Sequence, residues 1–173
     1  MLSVVQASTQ TSALEVSRAA LVNTLDRARH VVPTRYPKPI LTCVRLEAID
    51  SWLRISATDG YMALFTQMPV DGELPACVVP FAELTRRLKA SKHATCSLSL
   101  STTGEQFLIN GGCVEHALHT LPVDDFPPVN DAYVGQIVSI DAAELVAALR
   151  IANLAVARET SRYAIDGVLL ELR

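Results

Sequence analysis

The stretch "HTLPVDDFPPV", His119 to Val129, decides how the chain divides. It holds three prolines and two adjacent carboxylates and has no helical period. Proline fixes φ and removes a backbone donor, so such a cluster interrupts regular structure. Strand-like sequence precedes it, and a new strand and helix follow. Two readings compete: Asp124 and Asp125 as paired catalytic acids, or a joint between domains. Neighbours in an extended segment point in opposite directions, so the two carboxylates cannot easily share one substrate. The joint, with solvated linker carboxylates, is the favoured reading.

Working outward, "SRAALVNTLDRARHVV" (17–32) places Leu21, Leu25, Ala28 and Val32 at helical spacing, with Ser17 as N-cap. "ILTCVRLEAI", "SWLRISAT" and "YMALFTQMPV" read as strands, and Thr58-Asp59-Gly60-Tyr61 reads as a tight primed hairpin turn. "LPACVVP" is another strand. A second helix, from Pro80 to Lys92, buries Phe81, Leu84 and Leu88. "ATCSLSLST", "EQFLINGG" and "CVEHALHTL" are strand-like, with Gly111-Gly112 as a hairpin turn. After the proline stretch the pattern restarts. A strand "GQIVSI" is expected, then a helix from Asp141 to Arg158 with Glu144 as capping-box partner, then a strand "AIDGVLLEL".

The restart is an internal repeat. One constant offset sets Ser17 on Asp141, Leu21 on Leu145, Leu25 on Leu149, Ala28 on Ala152 and Val32 on Val156. The same offset sets Val44 on Val168, Leu46 on Leu170 and Glu47 on Glu171. A shorter one sets Val16 on Val79, Leu21 on Leu84 and Leu25 on Leu88. The unit is strand, helix, then about three strands. It occurs twice before the proline stretch and begins again after it. Residues 1–12 read as a flexible extension, 13–129 as one domain and 130–173 as an incomplete second. The third helix carries a second apolar face, Ala147, Ile151 and Leu154. A helix apolar all round is usually buried on two sides. That face is expected to be covered, for example by another copy, and exposure of Ile151 and Leu154 counts against it.

Composition sets the class. The chain has 173 residues, 50% hydrophobic and 19% charged, which is globular. No apolar run reaches a membrane span, and the start lacks the pattern of a signal peptide. Cys43, Cys77, Cys96 and Cys113 lie far apart without a CxxC pair, as reduced core thiols of a cytoplasmic protein do. The net charge of −3 argues against a generally basic nucleic-acid binder, but its distribution is uneven. The three predicted helices hold nine basic and four acidic residues; the remainder holds six basic and fourteen acidic. Helices gathered on one side would make one positive face, able to track phosphates without reading bases.

Catalytic signals do not converge. His116 and His119 would face opposite sides of a strand, and the HExxH spacing of a helical zinc site is missing. There is no nucleophile elbow and no glycine-rich phosphate loop. No catalytic residue, metal or cofactor is expected.

Four stretches together resemble a known family: "KPILTCVRLEA…LRISATDGYMAL" (38–64), "VVPFAEL" (78–84), "HTLPVDDFPPV" (119–129) and "SRYAIDGVLLEL" (161–172). They are similar to the bacterial DNA polymerase III beta subunit, the sliding clamp. The resemblance implies an α+β DNA clamp fold, with helices on one face of curved antiparallel sheets. It implies a non-catalytic processivity factor that encircles duplex DNA in replication as a homo-oligomer. DNA polymerase III and clamp-loader subunits would be its partners. A family clamp has three domains; this chain carries one and the first half of a second. The resemblance implies DNA contacts at Arg27, Arg35, Arg86, Lys89 and Arg158. It implies Arg162 and Ile165 as the remnant of a partner-peptide pocket. It also implies that the strand near Cys113 to Leu118, facing the second helix, is an edge met by a neighbouring subunit. The alternative is a shortened, self-associating binding module or regulator without clamp activity.

Overall fold

The computed structural model describes residues 13–112, 114–129, 138–156 and 167–171. The chain falls into two compact units, Met1–Asp131 and Ala132–Arg173.

In the first unit the order is β1 (Leu14–Ser17), α1 (Arg18–Ala28), β2 (Cys43–Ile49), β3 (Trp52–Thr58), β4 (Ala63–Pro69), β5 (Leu74–Pro80), α2 (Phe81–Ala90), β6 (Thr95–Leu100), β7 (Gln106–Asn110) and β8 (Glu115–His119). These strands form two antiparallel four-stranded sheets, ordered β1-β6-β7-β8 and β4-β3-β2-β5. Each repeat contributes a three-stranded meander and gives its first strand to the other repeat's meander. Leu14 pairs with Leu98, and Val44 pairs with Val79. The fold is α+β, the architecture that the resemblance implies.

One core joins the sheets and both helices. Strand alternation turns Leu14, Val16, Leu98, Phe107, Ile109 and Leu118 inward from one sheet, and Leu46, Leu53, Ile55 and Val79 from the other. Leu21, Leu25 and Ala28 of α1, with Phe81, Leu84 and Leu88 of α2, complete it. Each fully buried leucine here contributes roughly 1.5–3 kcal/mol.

Helix ends are shorter than the periodicity predicts. α1 stops at Ala28, and the N–H groups of Val31 and Val32 both donate to the Ala28 carbonyl. Pro33 disfavours helical φ/ψ at Val32, so the chain turns there. α2 stops at Ala90; Pro80 caps it in an extended conformation as the last residue of β5. The primed turn is also elsewhere. Ile49 pairs with Trp52 across Asp50 and Ser51, whose φ values are +53° and +64°. The β3–β4 loop has only Gly60 at positive φ and is held instead by Asp59. The Asp59 carboxylate accepts from the N–H groups of Tyr61 (2.8 Å) and Met62 (2.7 Å). Those bonds hold its pKa below the ordinary value.

The proline stretch is folded onto the first unit. Leu121 N–H donates to the Val78 carbonyl at 2.9 Å, and Phe126 is buried with Cys43 and Val78. Residues Val123–Asp125 form a 3-10 turn, not extended chain, and both aspartates are exposed on it. The stretch is thus a fastening of the first unit.

In the second unit α3 spans Ala142–Ala152, where the pattern predicts a helix to Arg158. The Asp141 carboxylate caps it, accepting from the N–H groups of Ala143 and Glu144. Leu145, Leu149, Ala152 and Val156 are half-buried, and no α3 residue is fully buried. Ile151 is 71% and Leu154 86% exposed, so the second face is not covered within this unit's described residues, and the expectation of burial on two sides fails. The strands predicted at 135–140 and 164–172 are not formed by Val138–Ile140 or Gly167–Glu171. No described strand offers either segment a ladder, and an extended segment becomes a strand only by pairing.

Candidate nucleic-acid interface

The helices α1 and α2 are tied at their last turns. Lys89 Nζ lies 3.0 Å from Asp26 Oδ1. These positions are 63 residues apart, the same offset that relates Leu21 to Leu84. Equivalent positions of the two repeats therefore meet, and the pseudo-two-fold passes between them. The shared end carries exposed Arg27 beside Asp26, and exposed Arg86 one turn before Lys89.

The expected phosphate-binding residues differ in how free they are. Lys89 is spoken for by Asp26, and Arg86 Nη2 by Glu83 Oε1 at 3.0 Å. Arg27, at the end of α1, and Arg35, in the loop after it, are exposed, and their side chains make no hydrogen bond or ion pair among the described residues. The side chains of Arg29 and Lys38 are also exposed cations without such partners among the described residues; sequence reasoning left them out although they lie at the same helix end and in the same loop. Arg158, Arg162 and Ile165 lie outside the described residues. An exposed surface pair is worth only about 0–1 kcal/mol, so Lys89 and Arg86 can exchange carboxylate for phosphate at small cost.

A cavity of about 380 Å³ opens between the end of α2 and strands β6–β8. Leu88, Cys96, Ile109 and Val114 make its apolar wall, and Lys92, His93 and His116 stand around it. Arg87 also lines it, with Nε buried and without a partner. Gly111 and Gly112 close the adjoining turn. A Cβ on Gly112 would meet the His93 imidazole at 2.6 Å, and its φ is +101°.

Reactive chemistry is not prominent. Cys43, Cys77 and Cys96 are free and buried; Cys113 lies outside the described residues. Burial pushes the Cys77 thiol up to about 12 and Cys96 to about 11, which keeps both protonated at neutral pH. Among the described residues, no three His, Cys, Asp or Glu side chains gather as a metal site. No helix among them is long and apolar enough to cross a membrane.

This geometry can be set beside known proteins. The family model of the DNA polymerase III beta subunit, N-terminal domain, matches residues 12–130, more than half of the chain. The chain belongs to the DNA polymerase III beta subunit family. Among curated members, the beta sliding clamp of Caulobacter vibrioides is 31% identical over 159 residues. That alignment covers 90% of this chain and 42% of the relative. The beta sliding clamp of Chlamydia pneumoniae is 31% identical over 160 residues, covering 91% and 43%. The crystal structure of the Caulobacter crescentus sliding clamp superposes with a TM-score of 0.82 at 27% identity, over 91% of this chain and 43% of that one. The beta subunit of Streptococcus pyogenes shares the fold at a TM-score of 0.80 with 14% identity, over 87% and 41%. This family member thus spans less than half the length of the curated relatives it matches.

Proposed function

We propose that the chain serves as part of a DNA sliding clamp: a non-catalytic cytoplasmic processivity factor whose helical face surrounds duplex DNA. The match of residues 12–130 to the beta-subunit family, on a fold of two interlocked repeats, carries this reading. Residues 13–129 form its complete clamp domain, and 130–173 begin another. Arg27 and Arg35 supply free charge to phosphates, with Arg86, Lys89 and Arg158 beside them. Arg162 and Ile165 belong to a pocket for peptides of DNA polymerase III and the clamp loader. Cations on helix ends and a loop, with no groove-reading element among the described residues, favour contact with the backbone over the bases.

The test is fluorescence anisotropy with labelled duplexes of unrelated sequence over a salt series. Equal affinity for all sequences is expected. A log–log salt slope that drops by about 1.8 when Arg27 and Arg35 are both changed to Ala is also expected, since each phosphate contact contributes about 0.9. Absence of binding at low salt, or a slope untouched by the double change, would overturn it.

A further inference from the structure

The cavity at the end of α2 joins two unlike linings. Leu88, Cys96 and Ile109 give it a floor of buried apolar surface. Ile109 pairs with His116 across β7–β8, so both face the helix side of the sheet, while exposed Glu115 faces the other side. The hollow is therefore a gap in helix–sheet packing, inboard of the β8 edge. Its ionisable lining is of one kind. Arg87, Lys92, His93 and His116 stand around it, and no Asp or Glu does among the described residues. Arg87 Nε is buried and has no hydrogen-bond partner. A buried N–H left unpaired is costly, so this one calls for an acceptor. The C-terminus of α2 carries about half a negative charge, which opposes an anion, but Arg87 and Lys92 bring two full positive ones. Ser91 N–H also covers the Arg87 carbonyl at 3.2 Å. His93 is fixed beside them. Its carbonyl accepts from Arg18 Nε at 2.7 Å, its N–H donates to Ser91 Oγ at 3.3 Å, and its ring lies against Gly112.

We propose that this cavity binds a small molecule with one carboxylate and a short apolar body, such as an alkanoate. Its volume of about 380 Å³ lies in the range of small-molecule sites, roughly 300–1,000 Å³. In a guanidinium, Nε–H and one Nη–H share an edge whose spacing suits both oxygens of a carboxylate. That edge of Arg87 holds the acid group, and Lys92 adds charge beside it. His93 and His116 donate to the remaining lone pairs, as imidazole or imidazolium. The apolar body covers Leu88, Cys96 and Ile109, which removes their surface from water. A bare inorganic anion leaves that floor wet, and a neutral alcohol brings no charge to Arg87. Binding here does not depend on DNA at the helical face.

Isothermal titration calorimetry of the 173-residue chain with octanoate tests this. One saturable site is expected. Acetate, which lacks the tail, and octanol, which lacks the charge, should each bind about tenfold or more weakly. Arg87→Lys keeps the charge but loses the two-pronged edge, and should also weaken octanoate about tenfold. Val114 is 56% exposed at the rim, so Val114→Trp should fill the cavity and abolish binding without touching the core. Circular dichroism checks that both variants keep the fold; if Arg87→Lys does not, Val114→Trp decides alone. Absence of saturable octanoate binding overturns the proposal. So does equal binding of octanol, or octanoate binding that survives both changes.

Discussion

Changing Phe126 to Ala tests whether the proline stretch holds the fold or serves as a site. Its ring is buried with Cys43 and Val78, flanked by half-buried Ile40, Leu121, Val123 and Val129. Truncating a core phenylalanine costs roughly 3–5 kcal/mol. This cluster is small and separate from the main core, so the lower end, about 3 kcal/mol, is expected. With a urea slope of about 2 kcal/mol/M, the midpoint should fall by about 1.5 M. Asp124→Asn with Asp125→Asn should change stability by less than about 0.5 kcal/mol, because both side chains are exposed. Trp52, the only tryptophan, pairs with Ile49 and Pro69 in the sheet that receives Phe126, so its fluorescence reports unfolding there. The reasoning fails if the double Asn variant loses more than Phe126→Ala, or if the latter moves the midpoint by less than about 0.3 M.

The Cys77 thiol, pushed up to about 12, keeps its proton well above the unfolded value of 9.0. Its stabilisation is complete below pH 9 and is lost as pH rises toward 12; between pH 8 and 10 the wild type should lose roughly 1 kcal/mol more than Cys77→Ala, read by urea titration at both values. Gly112→Ala should cost about 1–3 kcal/mol from its positive φ, plus the clash with His93. Adding His93→Ala should recover only the clash, as a partial return of the thermal midpoint. Lys89→Ala should weaken duplex binding less than Arg35→Ala, because Lys89 must first leave Asp26; equal losses by anisotropy would contradict that.

Much of the fold is legible because burial writes itself into periodicity. Alternation in "WLRIS" and the three-four spacing of Phe81, Leu84 and Leu88 are direct records of an inward face. Periodicity does not record which neighbour a strand meets. Nothing in "LEVS" announces that it crosses to Leu98, since that pairing is long-range. The Asp50-Ser51 turn lacks the glycine that marks positive φ and so escapes notice. Charges at Arg27, Arg35, Arg86 and Lys89 are visible as types, but their state is not. Whether a cation is free or paired depends on which helix end lies opposite, as Asp26 does for Lys89.

The exchange of first strands explains why α1 and α2 are anchored while α3 is not. Each of the first two helices follows a strand lent to the other repeat's meander, and each buries three side chains between sheets. α3 has the same cap and the same apolar spacing at Leu145, Leu149 and Ala152. Among the described residues it has no paired strand before it and no meander beneath it, and it buries none of its side chains fully. An equivalent stripe thus gives a packed helix or a half-bare one according to whether a second repeat supplies the sheet. Helix propensity and capping form the element; only the partner repeat turns it into core.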